Sequence, residues 1–233
     1  MPYNDYDTDR GGFLARLMPN VPPVTRNLLV INIIVFLATL VREDFMIQTF
    51  ALFYPASQFF RPWQFLTHMF MHGGFWHIFF NMYTLWLFGS VLERSLGSRK
   101  FVVFYFFAGL GAAALHTGVE YLQIQHFLAA GSQAAVSRMM ITPTVGASGA
   151  IYGLLLGYGM LYPDNILTLI FPPVSLKAKW FVLIFAAIEL LTGIFATSDG
   201  VAHFAHLGGM LFGGLLLLWW RKSGRIWERD KWI

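Results

Sequence analysis

Six apolar stretches in this chain are long enough to cross, or nearly cross, a lipid bilayer. They are predicted at residues 26–41, 75–92, 101–122, 147–162, 178–197 and 204–220. A membrane-spanning helix needs about 20 mainly apolar residues, because the hydrocarbon core is about 30 Å thick and cannot satisfy exposed backbone groups. The chain is 57% hydrophobic and only 12% charged, which excludes an ordinary soluble domain. We therefore predict an all-α, polytopic membrane protein built as a six-transmembrane-helix bundle.

The sixteen lysine and arginine residues orient this predicted bundle. With both termini in the cytoplasm, all of them lie on the inner side except Arg42, Arg61 and Arg138. Cytoplasmic loops carry the excess of basic residues in membrane proteins, so the net charge of +4 is explained without nucleic-acid binding. The prediction is an integral multi-pass protein with both termini cytoplasmic. We expect a bacterial inner membrane, because no organelle transit segment is seen.

The same pattern divides the chain into three parts. They are a short cytoplasmic N-terminal segment at 1–24, a six-helix core at 25–221 and a basic cytoplasmic tail at 222–233. The chain contains no cysteine, which excludes disulfides and thiol chemistry. We expect neither a metal nor another cofactor, and the sequence does not predict the oligomeric state.

Polar residues at one depth indicate where the chemistry lies. Five of the seven histidines fall in two stretches, LTHMFMHGGFWHIFFNMY and VAHFAHLGGMLFGG. With a helical rise of about 1.5 Å per residue, Ser148 and His206 lie roughly 22 Å above the inner boundary, His77 roughly 24 Å and Asn81 roughly 18 Å. Polar groups inside a bilayer are costly and usually functional. Their shared depth predicts that these four side chains form one site.

Two of the predicted spans carry glycine at every fourth position. The rows are Gly149, Gly153 and Gly157 in the fourth span and Gly209 and Gly213 in the sixth. Small residues at this spacing let two helix backbones approach closely in lipid. If the rows meet, they bring Ser148 and His206 together at one end of the contact. The alternative is that the glycines serve packing alone.

A serine beside a histidine is typical of a nucleophile and its general base. The imidazole of His206 can take the hydroxyl proton of Ser148, whose oxygen then attacks a carbonyl. The free N–H groups at the helix start can hold the oxyanion, and His77 and Asn81 are suitable additional donors. Tyr152, one turn after Ser148, can pack against the imidazole. Because no acidic residue is expected beside His206, we predict a dyad rather than a triad.

The chain resembles the rhomboid intramembrane serine proteases from about residue 26 to 220. The resemblance rests on GASGAIYG at 146–153, HGGFWHIFFN at 72–81, AHLGGMLFG at 205–213 and LERSLGS at 92–98. It implies that Ser148 of GxSG is the nucleophile and that His206 of AHxxGxxxG is the base. His203, one turn earlier, lacks the glycine spacing and is the secondary candidate.

The resemblance also implies roles for the supporting residues. His77 and Asn81 of HxxxN would bind the oxyanion with the Ser148 N–H, and Tyr152 would stack on the base. Gly146, Gly209 and Gly213 are the matching glycines of these motifs. The loop at about 43–74 is similar to the half-submerged loop of the family, and Trp63 matches a tryptophan there. Gln64 stands where many members have arginine, which speaks against a loop-anchoring role at that position.

Five polar residues to which the resemblance gives no role have simpler interpretations. His68 and His72 are expected in loop hydrogen bonds, with metal binding as the alternative, and His126 in the loop after the third span. Glu93 is expected to tie an inner loop to nearby basic residues. Glu189, roughly 18 Å above the inner end of the fifth span, is expected to accept hydrogen bonds from a neighbouring helix, with tuning of the site as the alternative.

Residues and resemblance together predict an intramembrane endopeptidase whose substrates are transmembrane proteins. A regular helix hides its carbonyls in hydrogen bonds, so substrates are expected to carry helix-weakening residues near the cut. The fifth span and the loop at 196–202 are the expected gate. Two alternatives remain open. They are a catalytically silent rhomboid-like protein that binds membrane helices, and a six-helix transporter, whose expected inverted repeat is not seen.

Overall fold

Helices make up nearly all the regular structure of the residues described by the computed structural model, 12–168, 173–195 and 202–226. In chain order they are α1 (Phe13–Leu17), α2 (Pro23–Val41), α3 (Glu43–Phe50), α4 (Gln64–Thr67), α5 (Phe75–Thr84), α6 (Ser90–Leu96), α7 (Ser98–Ala129), α8 (Gln133–Ile141), α9 (Ser148–Leu161), α10 (Ala178–Phe195) and α11 (His203–Lys222). A 3-10 turn (His68–Phe70) follows α4, and a π-helical turn (Leu85–Gly89) joins α5 to α6. Strands β1 (Ile166–Thr168) and β2 (Ser175–Lys177) form an antiparallel pair.

Each of the six predicted spans contains a helix. Among the described residues, α2, α7, α10 and α11 are long and apolar enough to cross a membrane. The shorter α9 is also apolar, and α5, the π turn and α6 form one continuous helical stretch. Large apolar side chains are exposed on α2, α5, α7, α10 and α11, as expected where lipid replaces water as the solvent. The predicted all-α membrane bundle is confirmed.

One predicted helix boundary is wrong. The helix α7 continues past residue 122 to Ala129, so His126 lies in its last turn rather than in a loop. The stretch from 122 to 130 contains neither glycine nor proline to interrupt the helix, and the break comes at Gly131, which has φ 70°. The connection to α9 also contains α8, which was not predicted.

The glycine rows of α9 and α11 meet, which is the condition under which they were expected to bring Ser148 and His206 together. A Cβ added at Gly209 would overlap the carbonyl oxygen of Gly149, and one added at Gly213 would lie 3.3 Å from the Cα of Gly153. The helix α7 packs against the same seam, since a Cβ at Gly149 would lie 2.5 Å from the Cβ of Ala112. Backbone therefore packs on backbone, which fixes the separation of α9 and α11 next to Ser148.

Glu93 fastens the start of α2 to the corner between α6 and α7. Its carboxylate accepts hydrogen bonds from the N–H groups of Val24 (3.0 Å) and Thr25 (2.7 Å) and from the hydroxyls of Thr25 (2.8 Å) and Ser98 (2.7 Å). A carboxylate satisfies the free N–H groups of a helix start and complements its dipole. The partners found for Glu93 are thus helix starts rather than the basic residues that were expected.

The connection between α9 and α10 carries an exposed ion cluster. Asp164 lies 2.9 Å from the Nζ of Lys179 and 3.3 Å from the Nζ of Lys177. The hydrogen bond from Lys179, followed by that from Lys177, lowers the pKa of the Asp164 carboxyl below its ordinary value. Exposed pairs of this kind contribute little to stability, so the cluster orients the connection more than it strengthens it.

Candidate active site

Ser148 and His206 form a direct contact at one end of the glycine seam. Ser148 is the first residue of α9 and His206 lies in the first turn of α11. The Nε2 atom of His206 is 2.8 Å from the Oγ atom of Ser148, and the histidine side chain is buried. Because Gly149 and Gly209 touch immediately below, the seam sets this distance. The prediction that the two residues meet is confirmed.

Tyr152 holds the imidazole of His206 from one face. The two rings are stacked with centroids 4.1 Å apart and planes only 8° from parallel. The predicted ring contact is confirmed, and it restricts rotation of the imidazole away from Ser148. The hydroxyl of Tyr152 donates a hydrogen bond to Oε1 of Glu189, so one side chain contacts two members of the site.

His77 directs a ring nitrogen to the space beside Ser148. Its Nδ1 accepts a hydrogen bond from the N–H of Gly73 at 3.3 Å, which leaves the proton of the neutral ring on Nε2. A Cβ added at Gly146 would lie 2.8 Å from that Nε2 and 3.4 Å from Ser148 Oγ. Gly146 has φ 131°, where side chains are rarely tolerated. Glycine at 146 thus allows the positive φ of the backbone, and the lack of a side chain leaves the space between His77 and Ser148 open.

Asn81 lies one turn after His77 and is bound to its own helix. Its side-chain amide donates to the carbonyl of His77 at 2.7 Å. Its Oδ1 is buried and has no hydrogen-bond partner among the described residues. An amide nitrogen carries two hydrogens, so one N–H remains for another acceptor.

Glu189 overturns the expectation that no acidic residue stands beside His206. Its Oε2 lies 2.9 Å from Nδ1 of His206 and 2.6 Å from Nδ1 of His203, and its side chain is buried. The contact with His206 is oblique, since Nδ1 has a hydrogen-bonding distance to the carboxylate but lacks the alignment of a regular hydrogen bond. The expected hydrogen bonds to Glu189 from neighbouring helices are present, through Tyr152 and His203.

His203, the secondary candidate for the base, occupies a different position. Its Nδ1 contacts Oε2 of Glu189 and lies 3.1 Å from the hydroxyl oxygen of Thr192. The 2.8 Å contact to Ser148 comes from His206. The geometry therefore favours His206 as the partner of the serine, in agreement with the glycine spacing.

Three potential metal ligands come together at this point. Side-chain donor atoms of Glu189, His203 and His206 lie within 4.8 Å of one another, the one such group found among the described residues. Carboxylate and imidazole groups are common zinc ligands. Here both Nδ1 atoms contact the same carboxylate oxygen, so mutual polar contacts explain the cluster without a metal.

The segment before Ser148 is tied to the 43–74 loop. Leu52 and Thr144 exchange two backbone hydrogen bonds of 2.9 and 2.8 Å, and the N–H of Gly146 donates to the carbonyl of His68 at 3.0 Å. The Nε2 of His116 lies 2.8 Å from the hydroxyl oxygen of Thr144. These contacts place the start of α9, and with it the Ser148 hydroxyl, relative to the loop.

Gln64 anchors the 43–74 loop, although the replacement of the family's arginine spoke against such a role. It is fully buried, and its Oε1 accepts hydrogen bonds from the N–H groups of Phe53 (3.3 Å) and Arg61 (3.1 Å). Its amide donates to the carbonyls of Gln48 (3.2 Å) and Phe59 (3.0 Å). A neutral amide both donates and accepts, so glutamine anchors the loop in its own way.

His68 and His72 differ in the way they are held. His68 makes the expected loop hydrogen bond, with its Nδ1 2.9 Å from the carbonyl oxygen of Gln64. Both ring nitrogens of His72 are buried without a hydrogen-bond partner among the described residues, so the expected loop bond is not found. The ring of His72 instead packs edge-on against His77, with centroids 5.1 Å apart.

The fold and site define a polytopic helical membrane protein with a serine–histidine pair at a helix start. Residues 60–223 match the model of the Rhomboid domain, and the chain belongs to the rhomboid family. It is 24% identical over 216 residues to rhomboid protease GlpG of Yersinia pestis (strain Pestoides F), covering 90% of this chain and 67% of that protein. It is 28% identical over 212 residues to rhomboid protease AarA of Providencia stuartii, covering 87% and 74% respectively.

These similarities confirm the predicted family and the predicted class of enzyme, a rhomboid-type serine peptidase. They also support an integral membrane protein of bacterial type. The predicted division at 24/25 and 221/222 stays a prediction. The predicted gate at 196–202 lies, apart from Ala202, outside the described residues.

Proposed function

We propose that this protein is an intramembrane serine endopeptidase in which Ser148 is the nucleophile and His206 is the general base. The observation that carries the proposal is the 2.8 Å distance between Ser148 Oγ and His206 Nε2. Membership of the rhomboid family and similarity to proteins named rhomboid proteases support the same conclusion.

The chemistry follows from the protonation of the imidazole. With Nε2 unprotonated, His206 accepts the hydroxyl proton as Ser148 Oγ attacks the carbonyl carbon of the scissile bond. The imidazolium then returns the proton to the leaving amine, and an ester of Ser148 remains. A water molecule attacks the ester with His206 again as base, releasing the second product as a carboxylic acid and restoring the serine.

The oxyanion of the tetrahedral intermediate forms next to the start of α9. The backbone N–H of Ser148 is a donor there, because the first N–H groups of a helix have no partner within it. The Nε2–H of His77 is the second donor, supported by its position across from Gly146. Asn81 contributes its remaining amide N–H. Donors arranged before the reaction stabilise the charge as it develops.

The substrates are transmembrane proteins that carry helix-weakening residues near the cut. A carbonyl inside a regular helix accepts a hydrogen bond along the helix axis, and His206 and Ser148 act only on a carbonyl freed from that bond. Glycine, proline or polar residues release it at the lowest cost.

The same proposal places both termini of the chain in the cytoplasm of a bacterial inner membrane, supported by the distribution of basic residues.

A reactive fluorophosphonate probe tests the proposed roles on purified protein in detergent. We expect wild-type protein to be labelled at Ser148 and to cleave a reconstituted transmembrane substrate. Ser148→Ala and His206→Ala should lose both properties while remaining folded. Ser137→Ala, at an exposed position on α8, is the matched control and should retain both.

Two outcomes contradict the proposal. Substantial cleavage by Ser148→Ala protein excludes this serine as the nucleophile. A wild-type protein that binds membrane helices but neither reacts with the probe nor cleaves them is the catalytically silent form.

A further inference from the structure

We propose that Glu189 is a positioning residue that orients His206 for proton transfer, so that the site works as a three-residue unit. This inference rests on the proposed roles of Ser148 and His206. None of the motifs that carry the family resemblance includes Glu189, so the resemblance assigns it no role.

The imidazole of His206 lies between two partners. Its Nε2 is 2.8 Å from Ser148 Oγ, and its Nδ1 is 2.9 Å from Glu189 Oε2. A neutral imidazole carries its proton on only one nitrogen. If that proton is on Nε2, the ring cannot accept the proton of Ser148. A carboxylate facing Nδ1 favours the productive tautomer, with the proton on Nδ1 and a free lone pair on Nε2.

The same carboxylate stabilises the charge that develops on the ring. When His206 takes the serine proton it becomes an imidazolium beside Glu189. An ion pair in a buried site of low dielectric is stronger than the same pair in water. The stabilisation is larger in the transition state than in the resting enzyme, which is the condition for it to accelerate the reaction.

Glu189, which lies on α10, is itself held by side chains from the other two helices, α9 and α11. Its Oε1 accepts the hydroxyl hydrogen of Tyr152 on α9, and its Oε2 contacts His203 and His206 on α11. On α10, Thr192 lies next to this group, with its hydroxyl oxygen 3.1 Å from Nδ1 of His203. A buried carboxylate is costly unless hydrogen bonds satisfy it, and these contacts supply them.

Tyr152 connects the two residues that have to be aligned. Its ring stacks on His206 while its hydroxyl binds Glu189. The oblique angle at Nδ1 is compatible with the role, because catalytic hydrogen bonds are often poorly aligned before the substrate binds and tighten in the complex.

A structural role for Glu189, as a polar link between α10 and His203, makes different predictions. A structural link affects the amount and stability of folded enzyme. A positioning role affects turnover by the folded enzyme and the tautomer of one ring. Kinetics and nitrogen NMR on reconstituted protein therefore separate the two.

The central variant is Glu189→Gln, which keeps the size of the side chain and removes its charge. We expect kcat to fall by about 10²–10⁴-fold, with KM nearly unchanged. Glu189→Asp, which restores the carboxylate on a shorter chain, should recover part of the loss. His203→Gln, which alters the other contact of Oε2, should cost much less activity than Glu189→Gln.

The tautomer of His206 in the wild-type protein gives a readout that needs no substitution at Glu189. In wild-type protein labelled with ¹⁵N-histidine, with the His206 signal identified by its loss in His206→Ala, we expect the proton on Nδ1. In Glu189→Gln protein a mixture of tautomers should appear. A wild-type His206 protonated on Nε2 overturns the proposal, even if no Glu189 variant folds.

The outcomes also distinguish this inference from the proposed function. If Ser148→Ala is inactive but folded Glu189→Gln keeps wild-type kcat, only the role of Glu189 is wrong. Cleavage by Ser148→Ala protein removes the function on which the inference rests.

Discussion

Gly209 and Gly149 pack backbone against backbone, since a Cβ at Gly209 would overlap the carbonyl oxygen of Gly149. This contact is next in sequence to Ser148 and one turn from His206, so the closest approach of α9 and α11 adjoins the reacting pair. The cost of glycine within a helix, about 1 kcal/mol each relative to alanine, is offset by a separation of helices that no larger residue permits.

Gly209→Ala is therefore expected to impair activity more than stability. The added methyl group must push α11 from α9, and overpacking typically costs about 1–3 kcal/mol. A displacement of about 1 Å at reacting groups can cost about 10²-fold in rate. Thermal unfolding and cleavage of one substrate, measured together in detergent, check the prediction.

The control for this experiment has to be a helical glycine in open space. Gly118 in α7 has nothing within 4 Å of an added Cβ, so Gly118→Ala should leave cleavage unchanged. Gly159, although off the rows, is unsuitable because a Cβ there would lie 2.9 Å from a methyl carbon of Val182. Equal losses of activity in Gly209→Ala and Gly118→Ala would show that the seam does not set the position of the pair.

Gly146→Ala should also reduce cleavage, through two separate effects. The residue has φ 131°, so a side chain adds backbone strain of about 1–3 kcal/mol. The Cβ would also lie 2.8 Å from His77 Nε2, in the space proposed for the oxyanion. Initial rates and thermal unfolding of the variant separate the two effects.

Gly131→Ala isolates the contribution of strain. Gly131 also has a positive φ, 70°, but nothing lies within 4 Å of its added Cβ. It should lose some stability and keep its kcat. The prediction for Gly146 is wrong if its variant likewise changes stability alone.

The pairing of Ser148 with His206 could be predicted because two simple rules apply to it. Helical rise gives the depth of each residue, and the glycine rows indicate which helices touch. Neither rule reports how α10 is rotated about its axis. The estimated depths of Glu189 and His206, about 18 and about 22 Å, differ by less than one turn of about 5.4 Å, so depth could not exclude the contact. A lone carboxylate in an apolar span was itself a signal, since such groups usually have a polar partner.

Gln64 illustrates a different limit. The five backbone groups that its side chain contacts belong to residues 48, 49, 53, 59 and 61, and their relative positions depend on how the 43–74 loop folds. No periodic pattern predicts such a path, whereas the regular spans around it follow from hydropathy. The anchoring role of Gln64 therefore follows from the three-dimensional path of the loop backbone and not from the sequence.

Glu93→Ala tests stability without touching the proposed chemistry. The substitution leaves the N–H groups of Val24 and Thr25 without the carboxylate that caps them, and hydrogen bonds to charged groups contribute about 1.5–3 kcal/mol each. We expect a lower unfolding temperature and unchanged kcat per labelled Ser148. Glu43→Ala, at an exposed position in the first turn of α3, should change neither quantity appreciably.

Asn81→Ala is expected to lower kcat with little change in KM, because the oxyanion exists only near the transition state. Loss of one such donor typically costs about 10²–10³-fold in kcat. Asn32 in α2 provides a closely matched control, since its buried amide also donates to the carbonyl four residues earlier, at 2.7 Å. Asn32→Ala should therefore reproduce the loss of that local bond and any change in stability, but not the fall in kcat. A higher KM at unchanged kcat in Asn81→Ala would assign this residue to substrate binding and remove it from the oxyanion site.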